Sequence, residues 1–197
     1  MDARYLQATT VLPYQDKVCG RTLRAFCLRH RVALQSIDSP FLDPIEKRFT
    51  AFDVILAVRI MSTHDKQKMT DSLTLRDKYH VARMMLSRKR LARAVGMILG
   101  CIKVSCSYPK LWEKEKKDKK PSEDIPWMLS CVANLTRNGV SLEEAWTMPE
   151  GEAVWMSISC AIYNGAKIDI LTTDQEDELT RFEERVDAYK KRMNHKN

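Results

Sequence analysis

Glycine and proline are scarce in this chain, six and seven in 197 residues. Both residues punctuate strand-and-turn architectures, so their scarcity argues against a sheet-rich fold and for long helices. Long apolar runs are missing too. The longest, Ala94 to Ile102, falls far short of the ~20 residues that cross a bilayer, and no membrane partner is expected. Gly96 and Gly100 in that run read as a site of close helix packing in a core. The phosphate-cradling patterns GxGxxG and GxxxxGKS/T are absent, as are HExxH and GxSxG. The four histidines, at 30, 64, 80 and 195, are scattered. His64 precedes an aspartate without any nucleophile motif, and His30 reads as a hydrogen-bonded core residue. No catalytic residue, no cofactor and no enzymatic activity are expected.

The six cysteines, at 19, 27, 101, 106, 131 and 160, contain no CxxC. Four of them sit in apolar helical patterns, and no Cys/His pair is spaced for zinc. The expectation is reduced thiols, no metal site and a cytoplasmic location. The opening MDARYLQATT carries an acid and no apolar core, so no secretory signal is expected.

What the chain does have is an ordinary globular balance, 44% hydrophobic and 30% charged, which allows a core to form. Its net charge of +7 is compatible with nucleic acid or an acidic partner. Apolar residues recur at helical spacing almost throughout. Leu23, Phe26, Cys27, His30, Leu34 and Ile37 predict a helix from about Arg21. Thr50 and Asp53 form a capping box before Val54 to Met61, a helix expected to be buried nearly all round. Two stripes follow, Leu75-Tyr79-Ala82-Leu86 and Leu91-Val95-Ile98-Ile102, out of phase across Ser87 to Arg90, where a break is predicted. Pro126 starts another helix and Asn138-Gly139 ends it. Ser141 to Met148 is a helical elbow, and Ala153 to Tyr163 a second helix closed by Asn164-Gly165. Thr173 and Glu176 are read as the cap of a thinly apolar last helix.

The fold predicted is all-α, a compact multi-helix domain with a C-terminal helical hairpin and a peripheral last helix. Its parts are an N-terminal helical region at 1–108, a lysine-rich loop or linker at 109–124, the hairpin at 125–171 and the charged helix at 172–197. The lysine-rich segment is strongly hydrated and expected to be mobile.

Two surfaces stand out as candidates for function. Arg83, Arg88, Lys89, Arg90 and Arg93 form a positive cluster that could hold phosphates of a nucleic acid. Around the hairpin, Trp127, Trp146, Met148, Trp155 and Met156 supply large, adaptable apolar side chains for contact with a protein partner.

Two stretches also carry a resemblance. The first holds Leu12-Pro13-Tyr14, Gly20 to Arg24, Leu28, SPFL at 39–42 and TAFDVILAV at 50–58. The second holds Pro126-Trp127, GVSLEEAWTMP at 139–149, Ala153 and Trp155. Together, over about half the chain, they resemble small cytoplasmic tail-assembly chaperones encoded beside the tape-measure protein of long-tailed bacteriophages and prophages. The resemblance implies a partner that is a long helical tail protein needing to be kept soluble. Ten methionines suit a groove that re-packs around varied helices. The basic middle of the chain and its lysine-rich insertion lie outside the resemblance. A structural virion component, or a basic nucleic-acid-binding module, is the alternative.

Overall fold

The structure, a computed structural model, describes residues 3–9, 17–43, 48–109 and 126–194, with side chains to residue 186. The lysine-rich segment from 110 to 124 lies outside the described residues, so the expectation of a mobile loop there has no structural counterpart. The fold is all-α. Among the described residues there are ten helices and one antiparallel hairpin of two short strands.

Helix α1 (Ala3–Thr9) precedes strands β1 (Lys17–Val18) and β2 (Arg21–Thr22). Cys19 and Gly20 join the strands, both at positive φ, 50° and 73°. A two-residue hairpin turn matched to strand twist needs that conformation at both positions. Then come α2 (Leu28–Ser36), α3 (Ala51–Met61), α4 (Lys66–Thr70), α5 (Leu75–Met85) and α6 (Arg88–Ser105). The C-terminal part holds α7 (Trp127–Arg137), α8 (Leu142–Thr147), α9 (Glu150–Tyr163) and α10 (Thr173–Asn194).

Local chemistry sets most of these boundaries. The Thr50–Asp53 capping box is present in both directions, Asp53 N–H donating to Thr50 Oγ1 at 3.2 Å and Thr50 N–H to Asp53 Oδ2 at 2.8 Å. A second box, Thr74–Asp77, starts α5. Ser141 caps α8 by accepting from Glu144 N–H. The break between α5 and α6 falls at Ser87, whose extended backbone makes it the residue before α6. Gly139 and Gly165 follow α7 and α9 at positive φ.

Among the described residues, two apolar clusters form the interior. The first gathers Val54, Val58 and Met61 of α3, Met84 of α5, Ala94, Ile98 and Cys101 of α6, and Leu23, Phe26 and Leu34. The second gathers Met128, Cys131, Val132 and Leu135 of α7 with Ala145, Met148, Ala153 and Leu28. Helix α2 feeds both, Leu34 into the first and Leu28 into the second.

The residues before α2 tie the halves together. Sequence periodicity predicts a helix from about Arg21, but 23–27 is not helical and the helix begins at Leu28, after an extended Cys27. The reason is tertiary: Arg24 N–H donates to the Met61 carbonyl at 2.8 Å, and Phe26 N–H to Ser105 Oγ at 2.9 Å. On the other side, Glu150 N–H donates to the Phe26 carbonyl at 2.8 Å, and Cys27 bridges to Pro149. These bonds satisfy backbone groups that a helix would otherwise satisfy internally.

Beside this crossing, the fully buried Glu150 carboxylate receives Arg31 Nε at 2.5 Å and Nη2 at 2.7 Å. Tyr108 Oη at 3.2 Å and Cys106 Sγ at 3.4 Å complete its shell. Burial, and then the Glu150 charge, push both of those protons well above their ordinary pKa values. The Arg31 guanidinium also lies 5.5 Å from the Phe26 ring centroid and 5.7 Å from that of Trp127.

Three local expectations are corrected. The last helix is capped one residue earlier than predicted, by Thr172, whose Oγ1 accepts from Gln175 N–H while Gln175 Oε1 accepts from Thr172 N–H. Gly96 makes no close helix contact, since a Cβ there would meet nothing within 4 Å. The stripe Leu75-Tyr79-Leu86 faces solvent, with Leu75 85% and Leu86 87% exposed. Helix α5 instead buries Asp77 and Met84 toward α3 and α6. Helix α10 is peripheral, its described side chains mostly exposed, including Phe182. Arg4 anchors its start by an ion pair to Glu176 and a hydrogen bond to the Leu171 carbonyl.

Candidate functional site

Helix α8 packs against both α2 and α7. The space left between the three is an open groove of about 360 Å³. Val32, Gln35 and Ser36 line it from α2, Pro126, Met128 and Leu129 from the start of α7, and Trp146 from α8. Met128 is buried at its base, whereas Val32 and Leu129 are 42% and 48% exposed at its rim. Among the described residues, its lining carries no charged side chain. A concave apolar surface of this kind takes apolar side chains presented by another helix.

The structure separates the five hairpin residues predicted for partner contact. Trp146 lines the groove and is half-buried. Trp127 is exposed next to it in sequence from Pro126 and Met128, its ring beside Arg31. Met148 is in the second core. Trp155 is buried, its Nε1–H donating to the Ser107 carbonyl at 3.1 Å and its ring edge-on to Tyr5. These two can support a contact surface but not line one. Met156 lies exposed on another side of α9. Sequence reading missed Val32 and Leu129, because no periodicity tells which half-apolar helix positions end beside a groove.

Of the five cations predicted for phosphate contact, Arg83, Arg90 and Arg93 share one cleft of about 330 Å³ with Lys17 and His80. Its other lining residues, Val18, Cys19, Gly20, Met84, Ala94 and Met97, carry no carboxylate. Burial, then the charges of Arg76 and Arg83, lower the His80 pKa, so the imidazole is neutral there. Arg88 and Lys89 stand exposed at the start of α6, outside that lining.

A third group joins residues that the sequence leaves apart. Cys27, His30 and His64 each bring one ligating atom within 4.8 Å of the others. Cys27 immediately precedes α2, His30 is in its first turn, and His64 follows α3. His30 Nε2 is 2.9 Å from the Thr63 carbonyl. Arg29 Nη1 reaches the His64 carbonyl at 2.9 Å, and its two terminal nitrogens grip Glu143 at 2.6 and 2.7 Å. Among the described residues, the buried side-chain nitrogens without a hydrogen-bond partner are Arg29 Nε, His30 Nδ1 and His64 Nε2.

No family model, curated protein or solved structure matches this chain. No described helix is long and apolar enough to cross a membrane.

Proposed function

We propose that the protein binds an apolar helical segment of a partner protein and keeps that partner soluble, in the manner of the tail-assembly chaperones that its sequence resembles. The observation that carries this reading is the groove between α2, α7 and α8, lined mainly by apolar side chains, with Gln35 and Ser36 the polar residues of its described lining, and open to solvent at Val32 and Leu129. The resemblance makes a tail tape-measure protein the partner of choice, since such a chain is long, helical and exposed before assembly. Two or three apolar side chains at i, i+3 and i+4 of the client would enter the groove against Met128 and Trp146.

The test is co-expression of this chain with the tape-measure protein encoded beside it. Val32→Asp and Leu129→Asp place charges at the exposed rim, so folding is spared where a Trp155 or Met148 substitution would damage the core. Each is expected to weaken binding by roughly thirtyfold, the equivalent of ~2 kcal/mol at a contact centre, and to return the client to the insoluble fraction. Thermal melts of the variants should match the parent. A client equally soluble with and without this chain would overturn the reading.

The second reading, a phosphate-binding module, is favoured by one observation, the cleft of Lys17, Arg83, Arg90 and Arg93, which has no carboxylate among its described lining residues. Binding of duplex DNA that falls steeply with salt, and is lost in Arg90→Ala/Arg93→Ala, would establish it.

A further inference from the structure

We propose that Cys27, His30 and His64 form a binding site for a borderline-soft divalent transition metal, zinc foremost, which clips the start of α2 to the loop after α3. The ligand chemistry selects the metal: one thiolate and two imidazoles suit zinc, whereas magnesium and calcium need oxygen ligands. Their separations, at most 4.8 Å, come within about 1.5 Å of the ~3.3–3.6 Å between ligand atoms of a tetrahedral site with bonds of ~2.0–2.3 Å.

The second observation is the unpartnered buried nitrogens. His30 is fully buried, yet its Nδ1 has no hydrogen-bond partner, nor does His64 Nε2. Buried polar atoms are nearly always paired, so two on adjacent imidazoles call for a shared occupant. The contact of His30 Nε2 with the Thr63 carbonyl fixes the tautomer. Nε2 carries the proton and donates it, which leaves the Nδ1 lone pair free. A backbone carbonyl holding the far nitrogen is the usual arrangement for a metal-ligating histidine. The CxxH spacing of Cys27 and His30 puts both ligands at the N-terminus of one helix.

Binding converts the Cys27 thiol to a metal thiolate and releases one proton to solvent for each ion taken up. The positive charges nearby, Arg24 and Arg29, oppose a dication. The Glu143 carboxylate offsets that of Arg29, and the thiolate offsets half the charge of the ion. Half-buried His64 offers the access path, and a water completes the fourth position.

Titration of the reduced full-length protein with Co(II), followed by Zn(II), tests the proposal. The expected result is one equivalent of Co(II) giving the visible bands of tetrahedral cobalt and a thiolate charge-transfer band, both erased by Zn(II). Cys27→Ser should abolish the charge-transfer band. His64→Gln, at a half-buried position outside any helix, should weaken binding by at least about 100-fold and cancel the rise in Tm that zinc gives the parent. Cys160→Ser should leave every signal intact. Absence of cobalt bands in the parent, or bands that survive in His64→Gln, would overturn the site and leave a buried water as the occupant between the two imidazole nitrogens.

Discussion

Asp77 sits between two arginines and its own helix cap. Arg21 Nη2 lies 3.0 and 3.2 Å from its two oxygens, Arg59 Nη1 lies 3.8 Å away, and Thr74 donates through both Oγ1–H and N–H. Burial alone would raise this carboxyl, but the Thr74 and Arg21 hydrogen bonds outweigh it and hold its pKa below the ordinary value. A depressed carboxylate contributes stability that is complete above its unfolded pKa of about 4 and is lost as pH falls through the folded value. Asp77→Asn is therefore expected to cost about 3–5 kcal/mol near neutrality, since it removes the carboxylate charge that Arg21 and buried Arg59 face. The gap between variant and parent in urea melts should be flat above about pH 5 and close below about pH 4. The Thr74–Asp77 spacing was legible in the sequence as a cap, as Thr50–Asp53 was, because a capping box is a contact over three residues. Its arginine partners were not, because they arrive from 56 and 18 residues away. The same distance hid the Cys27-His30-His64 group. The CxxH half of it is local, but His64 joins only after α3 has turned back.

At the scale of elements, two glycines that look alike in sequence behave in opposite ways. Gly151 sits in the first turn of α9, where a Cβ would come 2.9 Å from the Ser105 carbonyl oxygen and 3.0 Å from Ala8 Cβ. Alanine usually gains up to ~1 kcal/mol over glycine within a helix. Here overpacking against backbone, ~1–3 kcal/mol, outweighs that gain because α1, α6 and α9 must separate. Gly96 meets nothing within 4 Å, so the propensity term stands alone. Gly151→Ala should lower Tm and Gly96→Ala should raise it, and scanning calorimetry of the two variants checks both signs. Helix periodicity made α3, α7 and α9 legible, since each buries a stripe against its neighbours. It misled at Arg21 to Phe26, where helical spacing coexists with a backbone that is not helical. It misled again on α5, where the strongest apolar stripe faces outward and the helix is held by Asp77 and Met84 instead. A pattern shows which residues share a face, not whether another element covers that face.

At the scale of the molecule, the all-α class was readable from composition, and the candidate groove only in part: Trp146 from its hairpin, Val32 from nothing local. The two interior clusters have unequal histories. Every member of the first, from Val18 to Cys101, precedes every α7–α9 member of the second, yet Leu28 of α2 belongs to the second. During synthesis the first cluster can close once Cys101 leaves the ribosome. Leu28 then waits for Met128 to Ala153, about fifty more residues, or a few seconds at ~5–20 residues per second. Over that interval a nascent chain displays the apolar flank of α2 that the finished protein conceals. Ribosome-bound chains arrested at successive lengths should stay open to proteolysis beside Leu28 until residue 153 has emerged. Protection in chains ending at residue 109 would show that α2 is covered without the hairpin.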